Sequence, residues 1–166
     1  MKNILYVYGY GSNANEENMT YQVKKSIVSL VSVIIIFGSF CLYMYPQFPS
    51  DGLESVQTFR FWGTFVFSLI LVSVIAHIII NIVFNIMYRI TTGEKEPTFE
   101  DELDNIINLK ATRNSFFVFI LGFLLAMGSL IVLQPSQLMF IILITSGFMS
   151  DLIGSVTRLY HYRKGV

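Results

Sequence analysis

Charge is what this chain has least of. Only 13% of its residues are Asp, Glu, Lys or Arg, about half the ~25% of a soluble domain, and the mean hydropathy is +0.61. That combination excludes a disordered chain and an ordinary soluble globule. Neither sign dominates, because 11 Lys+Arg balance 11 Asp+Glu, so no basic field exists for direct nucleic-acid binding. Cysteine is almost missing. A single Cys41 excludes an internal disulfide, a Cys-x-x-Cys redox pair and a thiolate metal cage, and reads as a small buried hydrophobe. The Gly-x-Ser-x-Gly elbow of a hydrolase is absent, as are a phosphate loop and a cluster of metal ligands. The sequence therefore points away from an enzyme and asks for no cofactor.

What is present is apolar length. A helix needs ~20 apolar residues to cross a bilayer, and four runs supply them: about 26–45, 61–88, 114–133 and 136–157. The expected fold is all-α, a four-helix transmembrane bundle. The second run is long enough to require tilt or an interfacial extension. Gln134-Pro135-Ser136-Gln137 is barely a turn, so spans three and four form an antiparallel hairpin. Residues 89–113 are the one substantial polar connector.

Basic residues near span ends set orientation. One side receives Lys2, Lys24, Lys25, Arg89, Lys95, Lys110, Arg113, Arg158, Arg163 and Lys164, and the other only Arg60. Both termini (1–25 and 161–166) and the 89–113 loop are thus expected in the cytoplasm, with the chain in the plasma membrane of a bacterial cell. Tyr43, Tyr45, Phe59, Phe61 and Trp62 are expected as anchors at the outer boundary. Tyr88, Phe116, Phe117, Tyr160 and Tyr162 are expected to anchor the inner one. A weak echo relates the two halves: Lys24-Lys25-Ser26, Gly38-Ser39 and Pro46 against Arg113-Asn114-Ser115, Gly128-Ser129 and Pro135, as in two parallel helical hairpins.

The first eighteen residues stand apart. Residues 4–8 (ILYVY) read as a short strand, and Gly9-Tyr10-Gly11-Ser12-Asn13 as a turn. Met19-Thr20-Tyr21-Gln22-Val23-Lys24-Lys25 makes a good start for a signal-anchor helix, so 1–18 reads as an extension ahead of it.

Ionisable groups inside a membrane are costly and mark function by default. Here they are His77 and Asp151. Ser73, His77, Asn81, Asn85 and Arg89 recur every four residues along span two. Such a row drifts slowly round the helix and can bond to a neighbour along its length. On span four, Gly147, Asp151, Gly154 and Arg158 share a face, with Ser150 and Gly154 forming a small-xxx-small pair; Gly122, Ala126 and Ser129 do the same on span three. Counting 1.5 Å per residue from Arg89 and Arg158 puts Asp151 ~10 Å deep, Asn81 ~12 Å and His77 ~18 Å. Asp151 is then level with Asn81 and Asn85 rather than with His77, and an Asp–Asn bond locking spans two and four is the simplest expectation. His77 reads as a neutral interhelical hydrogen-bonder.

The loop has its own pattern. Thr98-Phe99-Glu100-Asp101 is a capping box with Asp for the usual Glu, and Glu102 adds negative charge to the first turn. Phe99, Leu103, Ile106, Ile107 and Lys110 recur at helical spacing, with Asp101, Asp104, Asn105 and Asn108 opposite. This predicts a cytoplasmic amphipathic helix between spans two and three. The run Asp101-Glu102-Leu103-Asp104-Asn105-Ile106-Ile107-Asn108-Leu109-Lys110-Ala111 resembles the signature of an uncharacterised prokaryotic family of small four-helix predicted membrane proteins. In that family an Asp-Glu-Arg-Asp run, an Ile and a Lys-Ala pair precede the third span; Leu103 stands here in place of the arginine. The ending Tyr160-His161-Tyr162-Arg163-Lys164-Gly165 looks like its aromatic-basic tail. The resemblance implies a membrane partner role beside small regulators, with no assigned activity.

These readings lead to two expectations. The first is a non-enzymatic membrane interaction protein that docks a cytoplasmic regulator or a membrane subunit, a second copy included. Docking would use Asp101, Glu102 and Asp104 around a Leu103/Ile106/Ile107 strip. The second is a small transporter or channel component with Asp151 as a proton or cation site and Asn81 and Asn85 beside it.

Overall fold

The computed structural model describes residues 2–47, 55–93, 102–132 and 135–164, with their side chains from Thr20 onward except that of Ser55. Four helices make up nearly all of it: α1 Lys2–Met44, α2 Ser55–Thr92, α3 Glu102–Ile131 and α4 Ser136–Lys164. A 3-10 turn, Tyr45–Gln47, closes α1. All four helices are long and apolar enough to cross a membrane. Where no water is available, a helix satisfies every backbone N–H and C=O within itself, which is why runs of this hydropathy settle into helix throughout.

Two expectations about local structure are corrected. The strand at 4–8 and the turn at 9–13 are both taken up by α1, and no strand occurs among the described residues. A lone strand leaves its ladder groups unpaired, whereas the helix of Lys24 and its neighbours extends backwards at ~1 kcal/mol for each glycine it crosses. The loop helix is not a separate element either. It forms the first turns of α3, which runs unbroken from Glu102 because no glycine or proline interrupts the chain before Gly122. The capping box at 98–101 lies outside the described residues.

Helix ends follow the sequence closely. Gly93 has φ +72°, and its N–H donates to the Arg89 carbonyl at 3.0 Å, the left-handed glycine stop that a side chain would strain. At the other connection Leu138 N–H donates to the Pro135 carbonyl at 2.9 Å and opens α4.

The helices pack unevenly. α1 and α4 form the centre, α3 lies along α4, and α2 leans on α1 and only brushes α4; among the described residues α2 and α3 do not pack together. The α3–α4 seam is built from small residues, as expected. A side chain at Gly122 would collide with Ser146, and one at Gly154 with Ser115. Across this close approach the Ser115 hydroxyl donates to the Ser150 carbonyl at 2.9 Å, and the Ser150 hydroxyl donates to the Ser115 carbonyl at 2.8 Å.

The α1–α2 seam is aromatic instead. Phe40, Met44, Trp62 and Phe65 form a buried cluster, with Phe140 and Ile144 of α4 packed against it. Trp62 lies parallel to Phe140, with ring centroids 5.9 Å apart. Trp62 and Tyr162 are therefore core residues, each 3% exposed, rather than boundary anchors. Their rings bury more area than any aliphatic side chain, and a neighbouring helix is there to take it. Tyr43, Tyr45, Phe59, Phe116, Phe117 and Tyr160 do face outward.

Candidate functional site: a waisted chamber at His77 and Asp151

Between α1, α2 and α4 lies a cavity of about 500 Å³, within the range of small-molecule sites. Its walls are mainly apolar, with the stacked pair Phe37–Phe148 (centroids 4.2 Å apart) on one side. The polar groups gather at one end: Ser73 and His77 of α2 and Ser150 and Asp151 of α4. A second cavity of about 460 Å³ continues toward the basic end of the bundle, lined by Ser29, Asn81, Ser155 and Arg158. The two cavities share Val33, Ser73, Val74, His77 and Asp151. His77 and Asp151 thus stand where an apolar depression and a polar one meet, His77 half-buried and Asp151 exposed.

The sequence explains why these two side chains face the space. α4 turns Ser146, Ser150 and Gly154 toward α3, and this leaves the neighbouring row of Gly147, Asp151 and Arg158 for the cavity. Gly147 has nothing within 4 Å of where a side chain would begin, so the wall is open there. On α2, His77 sits one turn below Ser73, whose carbonyl lies 2.8 Å from Nδ1. A carbonyl oxygen only accepts, so Nδ1 carries the proton and Nε2 is the atom at which His77 gains or loses one. The nearest ionisable neighbours of Asp151 are His77 and, two turns along its own helix, Arg158.

This arrangement departs from the depth reckoning, which separates His77 from Asp151. α2 has 38 residues, about 57 Å at full helical rise, against a ~30 Å hydrocarbon core. A helix of that length leans, so equal residue counts on α2 and α4 do not mean equal depth. Asn81 does line the basic-end cavity with Asp151. Asn85 accepts a hydrogen bond from the Tyr21 hydroxyl at 2.7 Å, which ties α2 to α1.

The docking residues are divided. Asp104 and Ile107 are buried, at 8% and 0% exposure, and Gln22 of α1 approaches the Asp104 carboxylate at 3.4 Å. Local periodicity assigns Asp104 to the solvated face; the actual inward face is Asp104, Ile107 and Ala111. Leu103 is half-buried, Glu102 and Ile106 are exposed, and Asp101 lies outside the described residues. Among the described residues no group of three His, Cys, Asp or Glu converges, so the site offers one imidazole and one carboxylate.

Sequence reasoning missed the cavities themselves and the places of Ser29 and Ser155 in their walls. Ser155 is 1% exposed one turn from Asp151, and that i+4 spacing is the signal that could have drawn attention to it. Comparison with family models, with curated proteins and with solved structures finds no match to this chain.

Proposed function

We propose that the protein is a non-enzymatic, multi-pass component of a bacterial plasma membrane, both ends cytoplasmic, that carries protons or small cations past His77 and Asp151. The observation behind this reading is that one titratable side chain from α2 and one from α4 line both cavities at once. The polar cavity, with Asn81, Ser155 and Arg158, takes a cation or proton from the cytoplasmic side. The Asp151 carboxylate holds it, and Nε2 of His77 accepts or returns the proton. Beyond this point the lining is apolar, so a cation meets no further charged ligand there and occupancy of Asp151 is the controlling step. The positive-inside count of ten basic residues against one supports the orientation.

A narrower docking surface is the second reading. Ile106 is 50% and Leu109 72% exposed beside the exposed Glu102, an acidic and apolar patch at the start of α3 for a cytoplasmic regulator. The burial of Asp104 and Ile107 makes it smaller than the sequence pattern implies.

The test is proton flux in proteoliposomes loaded with a pH-sensitive dye and driven by a potassium diffusion potential. Wild type is expected to acidify or alkalinise the lumen well above empty liposomes. Asp151→Asn should reduce flux to the empty-liposome level, Asp151→Glu should restore part of it, and His77→Gln should slow it. Wild-type flux equal to that of empty liposomes would contradict the proposal.

A further inference from the structure

The apolar depression at His77 and Asp151, about 500 Å³, is far larger than a proton or a metal ion requires. Three aromatic rings line it, Phe37, Phe119 and Phe148, and aliphatic side chains of α1, α2 and α4 supply most of the rest. Ile70 and Val74 of that lining are exposed at 55% and 53%, and α2 only brushes α4. The space is therefore open along its side, where lipid would lie. Gly147 adds to the room, since nothing stands within 4 Å of where its side chain would begin.

The protein itself uses much of the polar end. The Ser150 hydroxyl donates to the Ser115 carbonyl at 2.8 Å, and Nδ1 of His77 to the Ser73 carbonyl at 2.8 Å. Asp151, an exposed residue, supplies the one carboxylate among the described residues of the lining. Arg158 lines the polar depression and not this one. A hard metal ion takes about six oxygen ligands, more than this end offers. An organic cation whose charge is shielded by its own carbon needs only one counter-charge and an apolar bed, and aromatic rings add to the attraction.

We infer that this depression binds a lipophilic organic monocation, its charge at Asp151 and its apolar body against Phe37, Leu69 and Phe148. A neutral acyl chain would cover the apolar walls but bring no counter-charge to the carboxylate, so the occupant is a cation. The inference rests on the proposed function in one respect, that Asp151 is the group that holds a cation, and it adds the class of substrate.

Equilibrium binding of labelled tetraphenylphosphonium to the full chain in detergent, with protein-free micelles subtracted, tests it. Binding should saturate. Neutral triphenylphosphine oxide, which lacks the charge, and tetramethylammonium, which lacks the apolar body, should each compete about 10-fold less well than unlabelled tetraphenylphosphonium. Asp151→Asn should weaken binding about 10-fold, and Asp151→Glu should retain most of it. Gly147→Leu fills the space and should weaken binding with the carboxylate still in place. Equal competition by the neutral compound, or binding unchanged in Asp151→Asn, would overturn the inference and leave the space to a neutral acyl chain. Proton flux in wild type without saturable tetraphenylphosphonium binding would also overturn it, while the proposed function stands. Saturable, Asp151-dependent binding without proton flux would uphold it, while the proton pathway falls.

Discussion

The two hairpins of this bundle solve the same problem with opposite materials. α3 and α4 meet through glycine and serine, so their backbones approach closely and their polar groups are consumed by the reciprocal Ser115–Ser150 hydrogen bonds. α1 and α2 meet through Phe40, Trp62 and Phe65, whose bulk holds the backbones apart. In lipid, helix association rests on packing and hydrogen bonds rather than on escape from water, so the small-residue hairpin is the tighter one. The aromatic hairpin leaves room. The space at His77 and Asp151 borders α1 and α2, with α4 forming its other wall. Close packing marks one hairpin, and open space borders the other.

Breaking the tight hairpin should do the most damage. Gly154→Leu drives a side chain into Ser115 and is expected to cost ~3 kcal/mol or prevent folding, because packed seams resist overfilling. Reversible unfolding in mixed detergent–SDS micelles would measure it. Trp62→Ala removes the largest ring of the loose hairpin. It should cost about 2 kcal/mol, below the ~3–5 of a soluble core, because lipid rather than water replaces the lost contact. Ser115→Ala combined with Ser150→Ala should cost only ~1 kcal/mol, since such bonds average ~0.6 kcal/mol each in a membrane. Gly63→Ala on α2, with nothing within 4 Å of the new methyl, should be neutral or stabilise by up to ~1 kcal/mol through helix propensity. A cost at Gly63 equal to that at Gly154 would erase the contrast between the hairpins.

The tight hairpin is also the part most legible in the sequence. Gly122, Ala126, Ser150 and Gly154 announce it by spacing alone, because small-residue rows have one use in a membrane. The span count is equally plain from hydropathy. What sequence reading loses is anything set by a distant helix. Asp104 looks solvated until Gln22 arrives from 82 residues away, and Trp62 looks like an anchor until Phe140 stacks on it. Span two is apolar nearly all round, so periodicity does not say which face meets α4, and uniform depth counting moves His77 away from Asp151. At 4–8 the β-branched and aromatic composition suggests a strand, yet the helix that follows has the stronger hold on those residues.

The His77–Asp151 site is the central claim, and infrared spectroscopy of the protein in lipid tests it most directly. During a pH titration, the account predicts a protonated-carboxyl C=O band that disappears in Asp151→Asn and whose midpoint is displaced in His77→Gln, because the two side chains line both cavities together. A spectrum with no titrating carboxyl assignable to Asp151, or one indifferent to the loss of His77, would contradict it.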